Sequence, residues 1–379
     1  MPEITPYALT FHGGFHVGTR GVNLEEADPH LPSDTLFAAL VDAWRRNGGS
    51  AEGFSAPFLA DPPAPPFLLT SGFPRAGDVR FYPMPVDLSR LFQSETLRKR
   101  RKAIKGVRYL SEGLLRKAAS GEPLDDWLYP EDEGEEPTTG VALQGGALWL
   151  TLDEAERLPA SLRRKAGRRR ALRYLSVWAT ESVPRVTVSR LNSASNIFHS
   201  GRVSFAEGCG LWFGVAWLRP EAPVGADQVP YSQAFRQALT TLQEDGLGGE
   251  RSVGYGAFTV RKEKEEPASW PEPAAGQPAL LLSRYHPRPQ ELPDALSAPG
   301  AAYSLLSVAG WLRSPEGPAQ RRKRLYMVAE GSLVSPPRFP AGDVADVRPT
   351  YRHPAGDLPH PVYRYGLALA VGWSLAPPR

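Results

Sequence analysis

The segment Asp245-Gly-Leu-Gly-Gly-Glu-Arg-Ser-Val-Gly-Tyr-Gly-Ala-Phe258 sets five glycines within eleven residues, between an amphipathic run and a short apolar one. Glycine has no Cβ, so such a loop can adopt positive φ and approach another backbone closely. Successive N–H groups held that way can converge into an anion-binding nest. Arg251 adds a guanidinium with bidentate phosphate geometry, and Tyr255 a ring face on which a base can stack. The segment is not a Walker loop, since no Gly-Lys-Ser/Thr follows and a helix precedes it. Nor is it a dinucleotide fingerprint, which runs from strand to helix. Gly248, Gly249, Arg251, Ser252 and Gly254 are therefore the first candidates for cradling phosphate.

Working outward, Phe235, Ala238, Leu239 and Leu242 repeat at helical spacing over 231–243, and Ala257–Val260 reads as a strand. Upstream, 210–218 is a continuous apolar strand. Residues 185–191 and 202–206 read as hairpin arms around a polar tip, Asn192 to Ser200. At the start, 4–11 reads as a strand, followed by a Gly/His loop from His12 to Gly21. A helix begins after Pro32 with Ser33 or Asp34 as its N-cap, and Gly48-Gly49 stops it. Strand–helix–strand–strand–helix–strand, with insertions, is the order of a split β-α-β unit. The charged, Pro-rich stretch 261–278 reads as a linker, and strands at 279–285, 302–312, 324–329 and 362–373 predict a second such sheet. The expected fold class is α+β, two tandem ferredoxin-like (RRM-like) domains. They divide as 1–262, a linker at 263–278, and 279–379.

Of the 379 residues, 41% are hydrophobic and 22% charged, which excludes a wholly disordered chain. The one cysteine, Cys209, excludes an intramolecular disulfide framework and a Cys-based zinc cluster. The N-terminus lacks the basic and apolar regions of a signal peptide, and no apolar run is long enough to span a bilayer. The expectation is a cytoplasmic protein with no membrane partner. Net charge is only +3, but its distribution is uneven. Residues 98–108 and 163–173 carry seven cations each, Arg321 to Arg324 four more, while 122–136 holds eight acids. Clustered cations suit a polyanion, because binding releases condensed counterions.

The glycine-rich loop resembles that of the RAMP superfamily of CRISPR proteins. Further segments resemble one kind of member, the Csm subunit that caps the 5′ handle of the guide RNA in type III-A effector complexes. They are Leu31-Pro-Ser-Asp-Thr-Leu-Phe-Ala-Ala-Leu40, Pro184-Arg-Val-Thr-Val-Ser-Arg-Leu-Asn192, Leu282-Ser-Arg-Tyr-His-Pro287, Glu330-Gly-Ser332 and His360-Pro-Val-Tyr-Arg-Tyr-Gly366. The resemblance covers roughly 4–46, 184–260 and 279–370; the stretch 87–175 matches no motif. It implies a non-catalytic RNA-binding subunit without cofactor or metal. Such a subunit holds the crRNA 5′ handle and docks a large polymerase-like CRISPR subunit and the first RAMP backbone subunit. It meets target RNA indirectly, through a thumb-like hairpin that here would be 184–207.

Single-stranded RNA is held by phosphate nests, 2′-OH contacts and stacking, and the residues supply all three. Arg185, Arg190 and Asn192 are candidates for backbone or base edges, Tyr255 and Phe198 for stacking. His16, Thr19 and Arg20, after the first strand, are candidates to line the same cleft. The alternative is a metal-independent RAMP endoribonuclease processing CRISPR repeat RNA, with His12, His16 and His199 as the available imidazoles. A general RNA adaptor would explain the basic clusters but not the order of the motifs. No EF-hand spacing or Gly-x-Ser-x-Gly elbow is present.

Overall fold

Strand β1 (Glu3–Phe11) is buried from Ile4 to Leu9, as befits the inner strand of a sheet. It runs antiparallel to β10 (Cys209–Trp217) on one side and β11 (Phe258–Lys262) on the other. The structure is a computed structural model and describes residues 3–18, 26–188, 195–263, 268–314, 317–349, 358 and 360–374. After β1 come the helices α1 (Ser33–Arg46) and α2 (Ala51–Leu59), then β2 (Phe67–Leu69), β3 (Phe73–Ala76) and β4 (Val79–Pro83). An insertion follows: α3 (Ser94–Lys99), α4 (Arg101–Gly106), β5 (Tyr109–Ser111), α5 (Glu112–Ala119), β6 (Gly140–Leu143), β7 (Leu148–Thr151) and α6 (Ala160–Ala166). Strands β8 (Trp178–Val188) and β9 (Ser195–Phe205) form a hairpin, and α7 (Tyr231–Asp245) connects β10 to β11.

These strands build one ten-stranded sheet in the order β11-β1-β10-β3-β4-β5-β7-β6, with β2 also on β10. The insertion is thus no appendage. It continues the sheet through β4 and β5, and β5 pairs with β7 in parallel. The predicted face of α7 is buried as read, and Gly246 at φ 80° ends the helix.

The stretch read as a linker is packed. Its strand β12 (Ala268–Ser269) pairs with β1, and Trp270 is fully buried, 5.2 Å from the Tyr82 ring and 4.5 Å under Arg116. The second half departs further from expectation. In place of one broad sheet it forms β13 (Ala279–Leu281), β18 (Leu333–Val334) and β21 (Ala370–Gly372) as a three-stranded sheet. Beside it lie three pairs: β14 (Leu305–Val308) with β17 (Leu325–Val328), β15 (Trp311–Ser314) with β16 (Gly317–Arg321), and β19 (Val344–Asp346) with β20 (Tyr363–Tyr365). The strand expected at 302–312 splits where Gly310, at φ 146°, turns the chain.

The largest apolar cluster spans both halves, beside two smaller ones within the second. It runs from Ile4 through the insertion to Leu280, Leu333, Tyr365 and Val371. Tyr365 stacks on Phe37 of α1 at 4.8 Å between ring centroids and accepts a 3.3 Å hydrogen bond from the Leu69 N–H. Among the described residues, no helix is long and apolar enough to cross a membrane. Cys209 is buried on β10, and burial pushes its thiol up to about 12 against the pull of Arg75.

Candidate nucleic-acid interface

The glycine loop folds back on the segment after β1. Gly248 sits at φ 92°, and a Cβ there would collide with the His16 carbonyl oxygen. A Cβ at Gly249 would lie 2.9 Å from Cδ2 of His16, and the Gly249 N–H donates to the His16 carbonyl at 2.8 Å. The N–H of Gly256 donates to Gly14 (2.8 Å), and that of Gly254 to Arg251 within the loop (3.0 Å). The glycines therefore serve close backbone packing, and the N–H groups of Gly249 and Gly254 are not left for phosphate. The N–H groups of Arg251 and Ser252 have no partner among the described residues, and both residues are exposed. Gly254, at φ 88°, faces open space.

His16 is 4% exposed, which removes it from the predicted RNA-lining set. Its Nδ1–H donates to the Gly201 carbonyl at 2.7 Å, while its own carbonyl holds the glycine loop. One imidazole thus ties the loop to the hairpin. A second tie is Phe15, which exchanges 2.8 Å backbone bonds with Val203.

The hairpin is longer and differently registered than the sequence suggested. Pairing is continuous from Trp178↔Phe205 to Val188↔Ser195, so residues 195–200, read as tip, belong to the second arm. Arg185 lies opposite Phe198, and its guanidinium sits 5.3 Å over the Tyr255 ring. Tyr255 is only 7% exposed, so it offers no open face to a base. Instead it seats the hairpin arginine against the loop. Arg202, not singled out from sequence, pairs with Glu181 and packs its stem toward Gly14. Phe198 is half-buried, leaving part of its ring at the surface. Val186, Val188 and Ile197 are 58, 60 and 66% exposed near the outer end of the hairpin. Thr19, Arg20, Arg190 and Asn192 lie outside the described residues.

Of the three imidazoles, His12 bonds Thr259 Oγ1 at 2.6 Å, His16 is turned inward, and His199 is exposed opposite Pro184.

The other motifs converge elsewhere, between the two halves. Pro32 occupies the N-cap position of α1 without a side-chain cap, and Ser33 and Asp34, read as caps, point across to the second half. Ser33 Oγ accepts from the Arg284 N–H (3.1 Å). Asp34, fully buried, takes Arg284 at 3.1 Å and Arg364 on its other oxygen. Burial alone would raise the Asp34 carboxyl, but Arg284 and Arg364 outweigh it and hold it below its ordinary value. Nearby, Glu330 receives Ser71 and His30, the latter at 3.2 Å. Against the upward push of burial, His30, Arg284 and Ser71 bring it down to about 2. Segments that look like a binding signature in the sequence form an ionic joint.

The basic segments are partly neutralised from within. Arg100 meets Glu131 at 3.5 Å, Arg170 meets Glu136 at 3.6 Å, and Arg163 and Arg169 meet Glu156 at 3.6 and 3.2 Å.

Comparison with known proteins bears on this arrangement. Residues 274–373 match the family model of the CRISPR Csm4 C-terminal domain. The CRISPR system Cms protein Csm4 of Mycobacterium tuberculosis strain H37Rv is 32% identical over 119 residues, 31% of this chain and 38% of that protein. The chain is thus matched to well under half the length of that relative. A solved Csm3-Csm4 subcomplex of the type III-A CRISPR-Cas interference complex contains a similar chain, at TM-score 0.62 and 14% identity over 98% of this chain and 99% of that one. A Csm1-Csm4 cassette in complex with pppApA gives TM-score 0.55 and 18% identity over 98% of each chain. These two likenesses are of fold.

Proposed function

We propose that this Csm4-like chain of the RAMP type is a non-catalytic RNA-binding subunit of a type III-A CRISPR effector complex. It holds the 5′ handle of the crRNA and docks the large polymerase-like subunit and the first backbone subunit. The observation that carries the RNA reading is the seam at Arg185 and Tyr255. There the hairpin is fixed against the glycine loop while Arg251 and Ser252 stay exposed beside it. A guanidinium and two unspent N–H groups at one loop suit a phosphate. The outer end of the hairpin, with Val186 and Ile197 uncovered, suits a wedge between paired bases. The strand order β11-β1-β10-β3, with α1 after β1 and α7 after β10, supports a ferredoxin-like first unit. The sheet β18-β13-β21 and its flanking pairs read as a reduced second copy. Docking to the two protein subunits rests on the likeness to chains solved with such partners.

The chain, purified from cells carrying the repeat RNA, should retain short RNAs sharing one fixed 5′ tag. It should not cleave repeat RNA with or without divalent metal. Random RNA ends would count against handle recognition. Cleavage abolished by His12→Ala or His199→Ala would establish the endoribonuclease instead.

A further inference from the structure

The charged insertion is not absorbed by that function. Helices α3 and α4 turn Leu97 and Ile104 toward the core. Their other side presents Arg98, Arg101, Lys102 and Lys105, all exposed, at intervals of three, four and seven residues. Neighbouring cations are taken up: Lys99 pairs with Glu95 (2.7 Å), Arg100 turns in to the Tyr129 carbonyl (2.7 Å), and Arg108 binds Asp28 (2.8 Å). The four outward cations have no ion pair or hydrogen bond among the described residues. They crowd into the stretch 98–105, across two short helices that meet at Arg100 (φ −105°, ψ 17°). Four like charges at that spacing repel one another and gather counterions, which a phosphate backbone displaces on binding.

The acidic loop 131–136 is held on both sides by cations of the two basic segments. Glu131 meets Arg100, and Glu136 meets Arg170, which also donates to the Gly134 carbonyl. At its base Tyr129 gives its carbonyl to Arg100 and its ring to Arg173, 5.4 Å away. Asp132, Glu133 and Glu135 remain exposed. An acid-bearing stretch of chain thus lies against Arg100 and Arg170, one from each basic segment.

We infer that the outward face of α3 and α4 is a second RNA-binding surface, taking the phosphate backbone without reading bases, and that the acidic loop 131–136, tied to Arg100 between the two helices, opposes RNA there by its charge. RNA fits better than a protein because none of the exposed large hydrophobic side chains among the described residues lies on α3 or α4. The strand it takes is other than the tagged end at the glycine loop.

The test uses the full chain and a short fluorescent oligouridine lacking the tag, titrated at several salt concentrations. The variant Arg98→Ala/Arg101→Ala/Lys102→Ala/Lys105→Ala should bind at least about tenfold more weakly at low salt. Its slope of log K against log salt should fall by about 2–3, four contacts at about 0.7 each. Glu131→Gln/Asp132→Asn/Glu133→Gln/Glu135→Gln should bind more tightly than the parent. The quadruple cation variant should keep the parent's affinity for a short RNA consisting of the 5′ tag alone, which separates this surface from the glycine loop. Equal thermal transitions establish that the variants are folded. Unchanged affinity and slope in the quadruple cation variant would overturn the inference. So would loss of binding to a polyglutamate peptide while oligouridine binding stays intact, which would assign the face to an acidic protein.

Discussion

Arg251 and Arg284 bring one charge into opposite circumstances. Arg251 is exposed and without a partner among the described residues, whereas the Arg284 side chain is 11% exposed and spans Asp34 and Glu330. Removing the first should cost binding, and removing the second should cost folding. Arg251→Ala is expected to weaken binding of tagged guide RNA and lower its salt slope by about 0.7, one single-strand phosphate contact, with the thermal midpoint unchanged. Fluorescence titration at several salt concentrations reads both quantities, and an unaltered slope would move the phosphate away from this arginine. The glycines divide in the same way. Gly249→Val drives a side chain at the His16 ring, so it should lower stability and RNA affinity together. Gly254→Ala meets no neighbour and pays only for its positive φ, about 1 kcal/mol, so its midpoint should shift little. Similar midpoints for the two variants, by circular dichroism, would show that the contact with His16 does not organise the loop.

At the level of elements, the β8–β9 hairpin combines an anchored base with an uncovered end. Arg185 and Phe15 hold it, whereas Val186 and Ile197, paired across the strands, contact little. Val186→Ser/Ile197→Ser should therefore leave the thermal midpoint within about 1 °C, because exposed side chains contribute little burial. It should also increase target pairing next to the handle, read with a fluorescent base analogue at that position of the guide. Quenching unchanged from the parent would rule out a wedge. The same element shows what the sequence made legible. Two β-rich arms were recognisable, but their register was not, because His199 and Ser200 look like turn residues until Pro184 and Val183 are set opposite them. The helix α7 followed from its apolar spacing, and α1 from Pro32 at its start and Gly48-Gly49 at its end. Strands at 79–86 and near 147–152 were also recognisable, but their joining into one sheet was not, because the strand between them, β5, has three residues and carries no period. At the site, the exposure of Arg251 and the positive φ of Gly254 could be read from residue type. The burial of His16 and Tyr255 could not, because it depends on pairing with residues such as Gly201 and Arg185, far away in sequence.

At the scale of the whole molecule, α1 begins at the joint between the two halves, where Ser33 and Asp34 meet Arg284 and Arg364. Asp34 and Glu330 both titrate lower when folded than when unfolded. Their stabilising effect is therefore present above about pH 5 and is lost as pH falls toward the folded value of Glu330, about 2. Thermal denaturation should show one transition whose midpoint drops through that window. Asp34→Asn leaves Arg284 and Arg364 confronting one another and should cost about 3–5 kcal/mol by urea denaturation. Two separated transitions in the parent, or a loss below about 1 kcal/mol, would mean that the halves are stable independently. Another whole-molecule property follows from Cys209. The sole thiol of the chain lies inside β10 and is held protonated by burial, so it is closed to maleimides and to disulfide exchange while the fold persists. A cysteine introduced at Ile197 would then be the only reactive one. A single dye placed there could report the movement of the hairpin end against a guide strand, with no need to remove the native residue.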